Sequence, residues 1–241
     1  MHYGIIAAGE GSRLRQEGVE KPKPLVSLNG VPMIERLARI FDDAGAESIS
    51  VIVNEQMTEV RQFLEQLAPT LRAPLNIVVR TTPSSMHSFY ELSRHFKGKG
   101  RFILTTVDTI FRPEAFLEYV RAFEQQPEQV GGMMAVTSFV DDEKPLYVAT
   151  SPEMDILAFL DTPQPEIRYI SGGIYGLSDP AIDILRDCIE EGISRMRNYQ
   201  RALVASGLNL KAFDTGKIID VDHAADVATA EAFLNAAPDS I

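Results

Sequence analysis

Short apolar runs alternate with amphipathic stretches through the first 125 residues, and this alternation restricts the fold more than any other feature of the chain. "YGIIAA" (3–8), "SISVIVN" (48–54), "LNIVVR" (75–80) and "RFILTTV" (101–107) read as buried strands. Helical spacing appears in "VPMIERLARIFDDAG" (31–45), around 56–67, in "MHSFYELSRHF" (86–96), and from Pro113 to about Phe123. Strand–helix–strand units in series predict a mostly parallel sheet with helices on both faces. The rhythm changes after about residue 130. "GGMMAVTSF", "LYVAT", "MDILAFL" and "RYISGGIYGL" are short strands separated by turn residues, as antiparallel additions to the sheet would be. Two helices (about 179–191 and 193–206), a strand pair ("LNLKAFD" and "KIIDVD") and a last amphipathic helix close the chain. The expected fold is α/β: a Rossmann-like, mostly parallel sheet with added antiparallel strands in the second half. One domain over 1–241 is expected, without internal repeat or linker.

Composition excludes several classes. Hydrophobic residues make up 45% of the chain, enough for a core and too many for a disordered segment. The net charge of −11 argues against nucleic acid as a partner, which usually requires a basic footprint. No apolar run reaches the ~20 residues of a membrane span, and the N-terminus lacks the layout of a signal peptide. The single cysteine, Cys188, excludes an internal disulfide framework. A cytoplasmic location, no membrane partner and no nucleic-acid partner are therefore expected. A small anionic ligand is still compatible, because a local cation cluster can overcome a diffuse negative background.

Such a cluster comes directly after the first strand: "AAGEGSRLRQEGVEKPKPLV". A dinucleotide loop would need a glycine at position 14, which is Leu14. A Walker loop would need a lysine at position 10, which is Glu10. Small residues at 7–9 still let backbone approach a ligand closely, and Gly9 and Gly11 permit the positive φ of an anion-binding nest. Pro22 and Pro24 push Lys21 and Lys23 toward extended geometry, where residues two apart point the same way. Both ammonium groups are then expected beside Arg13, facing one phosphate-sized space. A stiffened, solvated surface loop is the alternative. Glu10, Arg15, Glu17 and Glu20 are assigned to solvent.

Taken together, Ala7, Ala8, Gly9, Gly11, Arg13, Lys21, Lys23, Pro24 and Leu25 resemble the signature of the sugar-phosphate nucleotidyltransferases, including phosphocholine cytidylyltransferase-like members. These enzymes load a nucleoside monophosphate onto a phosphorylated small molecule. The resemblance covers the N-terminal half and returns at the extreme C-terminus. It implies an NTP-binding half over about 1–125 and an acceptor-binding and closing half over about 126–241. Lys23 is expected to contact the reacting α-phosphate, and Arg13 the departing pyrophosphate. Ala7, Ala8, Gly9 and Gly11 are expected to pass under the nucleotide. Ser85 and Ser88 would read the base, with helix capping as their alternative role.

Asp108 comes after the fourth strand, at the sheet edge where ligands bind in open α/β folds. The resemblance makes it a Mg²⁺ ligand, completed by Asp222 of "DVDHAAD", where His223 replaces the usual threonine. As a strand, that stretch would turn Ile219 and Val221 to the core and Asp220 and Asp222 to the opposite face. Helix capping is the alternative for both ligands. The four histidines show no metal-ligand spacing. Gly173 and Tyr175 of "SGGIYG" would line the acceptor pocket, with Gly172 and Gly173 allowing close approach or marking a bulge. The family's mid-chain Glu-Lys-Pro is absent; "FLDTPQP" places Asp161 there. Arg195, Arg197 and Arg201 are candidate substitutes for its lysine, or else a solvated helix face. The implied activity is Mg²⁺-dependent NMP transfer from an NTP to a phosphorylated acceptor, a sugar 1-phosphate first and phosphocholine or a polyol phosphate next. A GT-A-like glycosyltransferase, a non-catalytic nucleotide sensor and a nicotinamide dehydrogenase are the rivals.

Overall fold

The computed structural model describes residues 1–140 and 144–237. The chain begins with β1 (His2–Ala7), the one-turn helix α1 (Ser12–Gln16) and a small hairpin of β2 (Ser27–Leu28) and β3 (Val31–Pro32). It continues through α2 (Met33–Asp43), β4 (Ser48–Val53), α3 (Thr58–Leu67), β5 (Leu75–Val79), α4 (Ser85–Ser93) and β6 (Phe102–Thr106). After the two-residue β7 (Thr109–Ile110) come α5 (Pro113–Glu124), β8 (Gly132–Thr137), β9 (Tyr147–Thr150), β10 (Ile156–Leu160) and the long β11 (Tyr169–Leu177). Helices α6 (Asp179–Glu190) and α7 (Met196–Ala205), β12 (Leu210–Asp214), β13 (Ile219–Asp220) and α8 (Ala224–Asn235) complete it.

Among the described residues, nine strands form the main sheet. Parallel β6, β1, β4 and β5 make one half, in register from His2↔Phe102 and His2↔Ser48 onward. The other half hangs on β11, which runs antiparallel to β6 and is flanked by β8 and β9. The expected change from parallel to antiparallel pairing therefore falls at the β6–β11 seam. One strand of the second half departs from it, since β12 runs parallel to β8.

Side chains alternate along β1, and both of its faces are covered. Tyr3, Ile5 and Ala7 pack with Ile34, Leu37 and Phe41 of α2, Val60 and Leu64 of α3, Phe116 of α5 and Phe233 of α8. Ile6 and Ala8 join the opposite layer of Phe89 from α4, Leu185 from α6 and Tyr199 from α7. Two buried faces explain why the parallel strands read as continuous apolar runs. Helix α2 shows how the sequence encodes its element. Ile34, Leu37, Ala38 and Phe41 fall at helical spacing on one buried stripe, and Phe41 stacks on Tyr3 at 4.5 Å. Gly45, at φ 77°, closes the helix as Ala46 donates its N–H to Phe41 O.

Candidate active site

The carboxyl ends of β1, β4, β5 and β6 surround a cavity of about 530 Å³, of the size that small-molecule sites usually have. Its floor is the turn after β1, from Ala8 to Arg13; its walls are Thr81–Ser85 with Ser88, and Thr106–Asp108. Gly11 begins α1 at φ 60°, and a Cβ there would lie 2.8 Å from the Lys23 Cβ. Only glycine meets both demands, so this residue is what lets the Lys23 side chain cross the loop.

Lys23 opens a 3-10 turn, Lys23–Leu25, and its side chain is only 9% exposed. Its Nζ contacts Asp108 Oδ2 and lies 2.6 Å from Asp222 Oδ1. The second oxygen of Asp222 accepts from Arg13 Nη1 at 2.9 Å. Two residues far apart in sequence meet because β13 pairs antiparallel with β7, setting Ile219 opposite Ile110 and Asp220 opposite Thr109. Val221 N–H then donates to Asp108 O at 3.1 Å, and the chain delivers Asp222 beside Asp108. Ile219 and Val221 are buried and Asp220 is exposed, the alternation the sequence implies. The pairing lasts only two residues, shorter than the six-residue strand expected there.

The electrostatics are self-balancing. Burial opposes the charge on Lys23, yet Asp108 and Asp222 outweigh it and hold the ammonium protonated well above the ordinary lysine range. Burial would raise Asp108; Lys23, with help from the Thr106 hydroxyl, holds it below the usual carboxylate range instead.

A second cavity, about 370 Å³, shares Ser85, Thr106, Asp108 and Asp222 with the first and extends toward the antiparallel half. Gly173 and Tyr175 line it. The pairing of β11 with β8 is interrupted between Ser171 and Tyr175, and Gly173 sits in this bulge at φ 73° with Thr109 Oγ1 2.7 Å from where a Cβ would be. Bulge and close approach are thus the same feature. Burial, then the nearby charges of Asp220 and Asp108, push the Tyr175 phenol up, so it stays neutral. Arg195 and Arg197 reach this cavity and Arg201 does not. Asp161, in the stretch that lacks the Glu-Lys-Pro of the resembled family, pairs with Arg197 Nη1 and Arg201 Nη2, both at 2.7 Å, and anchors α7.

Of the expected site residues, Ala8, Gly9, Gly11, Arg13, Lys23, Ser85, Ser88, Asp108 and Asp222 line the first cavity. Ala7 does not; its side chain faces the core and is 1% exposed. Lys21 is exposed and outside the lining, because the 3-10 turn at Lys23 breaks the extended geometry that would have aligned the two lysines. Ser88 is buried and shares a 2.6 Å hydrogen bond with Thr82 Oγ1, bracing the 81–84 loop. The N-cap of α4 is Ser84, so neither Ser85 nor Ser88 caps it. Asn54, Thr81, Thr82 and Thr106 also line the cavity, although no motif in the sequence marks them. Their common signal is a polar residue at or just past the end of a parallel strand.

Residues 4–164 match the MobA-like NTP transferase domain. A 67-residue stretch is 42% identical to the 2-aminoethylphosphonate cytidylyltransferase of Lancefieldella rimae, covering 28% of this chain and 27% of that protein. Over 236 residues the chain is 26% identical to the bifunctional IPC transferase and DIPP synthase of Rubrobacter xylanophilus, covering 94% of this chain and 50% of that one. The chain thus spans half the length, or less, of these curated relatives. The inositol-1-phosphate CTP transferase from T. maritima superimposes with a TM-score of 0.79 at 19% identity, with 98% of each chain covered, a likeness of fold. Among the described residues no helix is long and apolar enough to cross a membrane. The domain match takes in more than half of the sequence, from β1 through β10 with the glycine loop and Asp108 inside it, and the chain belongs to the MobA-like NTP transferase domain family.

Proposed function

We propose that the chain transfers a nucleoside monophosphate from an NTP to a small phosphorylated or phosphonate acceptor, releasing pyrophosphate. The observation that carries this reading is that Lys23, in the first cavity, lies between Asp108 and Asp222, the two carboxylates that line both cavities. An NTP in the first cavity and an acceptor in the second would meet there. An acceptor oxygen attacks the α-phosphorus, the bond from α-phosphorus to the bridging oxygen breaks, and pyrophosphate leaves with its electrons. A phosphomonoester has a second pKa of about 6 and is largely dianionic at neutral pH, so no general base is needed. The reaction needs alignment and neutralisation of two anions that repel each other.

The donor set suits Mg²⁺. Asp108 and Asp222 offer hard oxygen ligands, and no group of three acidic, histidine or cysteine side chains able to hold a metal ion lies among the described residues. Two carboxylates are too few for an all-protein cage and enough for an ion that keeps water and phosphate ligands. When bound, Mg²⁺ would add positive charge against the triphosphate. Lys23, released from its two partners, reaches the α-phosphate. Arg13 draws the charge that gathers on the departing pyrophosphate. Ala8, Gly9 and Gly11 let the loop backbone close on the nucleotide, and Ser85 opens α4 toward the base.

The second cavity narrows the acceptor. Arg195 supplies positive charge for the acceptor's phosphate or phosphonate, beside Lys144 and Arg197 in the same lining. Tyr175 is the aromatic side chain among its described lining residues, too little for the cage that trimethylammonium groups require. Ser171, Gln200 and Asp220 suit hydroxyls or a primary amine. A sugar or polyol phosphate, or an aminoalkylphosphonate, therefore ranks above phosphocholine. The 2-aminoethylphosphonate cytidylyltransferase supports CTP as donor. Pyrophosphate release is expected with CTP, Mg²⁺ and at least one of glucose 1-phosphate, inositol 1-phosphate and 2-aminoethylphosphonate. No release with any NTP and any of these acceptors overturns the reading. Such a reaction would run in the cytoplasm, where NTPs are made.

A further inference from the structure

Glu17, which by sequence belongs to solvent, holds two parts of the site together. It lies just past α1, the helix that carries Arg13, and both of its oxygens are engaged with the start of α8. Glu17 Oε1 lies 2.6 Å from His223 Nδ1, and Oε2 accepts the Ala224 N–H at 2.6 Å. The His223 bond, then the Ala224 N–H, hold its carboxyl below the usual range. From within α8, Asp226 Oδ2 accepts the N–H of Asp222 at 2.9 Å and of His223 at 2.6 Å. Asp222 is therefore held on three sides. Its carboxylate faces Lys23 and Arg13, its N–H is tied to Asp226, and the two residues after it are strapped to the glycine loop by Glu17.

The pairing of β7 with β13 does not accomplish this alone, because it ends at Asp220 and the one backbone bond that prolongs it, Val221 N–H to Asp108 O, stops short of Asp222. Past that point the chain turns into α8, and Glu17 reaches across from the end of the glycine loop to fix where the turn lands. We infer that Glu17 is a positioning residue for Asp222, a clasp that keeps the closing carboxylate facing Lys23; this rests on the proposed role of Asp222. A carboxylate left to swing on an unfastened helix end would lose the shared contact that defines the site. Partners that orient ligand side chains typically cost roughly 10–100-fold in activity when removed.

The test compares Glu17→Ala and Glu17→Gln in the full chain. Glutamine keeps an oxygen for the Ala224 N–H and offers its amide to a neutral His223 Nδ1, so it should restore most of the loss. In Glu17→Ala, kcat for pyrophosphate release from CTP is expected to fall at least tenfold at a temperature where the protein remains folded. In an Asp222→Asn background the same substitution should cost little more, since both act through one carboxylate. A purely structural role would multiply the losses. Amide exchange at residues 222–224 should quicken in Glu17→Ala and stay slow in Glu17→Gln. Unchanged kcat, multiplying losses or unchanged exchange would each overturn the inference. A wild-type protein that releases no pyrophosphate would instead sink the functional reading, and the exchange arm would still decide whether the clasp exists.

Discussion

The parallel half of the sheet and the antiparallel half build their cavity walls in different ways. Around the first cavity, β1, β4, β5 and β6 all end on the same edge, and the ligand wall is made of the segments that leave those strand ends: a glycine turn, the threonines at 81 and 82, and Asp108. Around the second, the wall comes from side chains on the face of β11, from β7 and from the start of α7. The first is backbone and loop, shaped by topology, and suits a ligand part common to many substrates, the triphosphate. The second consists of side chains that can change one at a time without disturbing a strand end, and suits the variable partner. Under the proposed reading, generality and specificity fall on opposite sides of the β6–β11 seam.

On the first side the decisive side chain is Lys23. Lys23→Ala should lower kcat by ~10²–10³ whatever the acceptor, with the fold intact by circular dichroism. A loss confined to one acceptor would mean that Lys23 belongs to the variable wall. On the second side, Arg195→Ala removes one charged hydrogen-bond partner, worth about 1.5–3 kcal/mol or roughly 10–100-fold. Its effect should appear in the KM for the acceptor, with CTP binding by thermal shift unchanged. Equal losses in CTP and acceptor binding would merge the two walls into one site.

The smallest effect is read in acid. The Asp108 carboxyl is depressed in the folded chain, so its contribution to stability is present above the unfolded value of about 3.9 and is lost as pH falls through the lower folded value. Lys23 is raised, so its contribution is complete below about 10.4 and is lost only as pH climbs through a still higher value. Asp161 is depressed as well, first by Arg201, but its side chain is 56% exposed and solvent screens the pair. Urea unfolding between pH 3 and 7 should therefore show a flatter acid limb in Asp108→Asn and an unchanged one in Asp161→Asn. The reverse result would place the strongly coupled charges on the acceptor side.

The same division explains what can be read from the chain alone. The parallel half is legible because strand period, helix period and turn residues agree locally, and because Gly11, Arg13 and Lys23 lie within one loop. Asp108 is legible as a strand-end acid. Asp222 becomes legible only through resemblance, since nothing local reveals that β13 pairs with β7. Lys21 eludes the sequence because proline constraint alone predicts extended geometry at Lys23, where a 3-10 turn wins instead. Glu17 and Asp161 are invisible for one reason: each takes its meaning from partners more than 30 residues away.

The seat of Lys23 has a consequence for loading under the proposed reading. One ammonium already satisfies both acids, so an arriving cation does not fall into an empty negative well; it has to evict a resident. A bare divalent ion gives the displaced lysine nowhere to go. An ion arriving with its triphosphate brings the lysine a new anchor at the same moment, which makes filling the pocket an exchange of partners and favours the two ligands entering together.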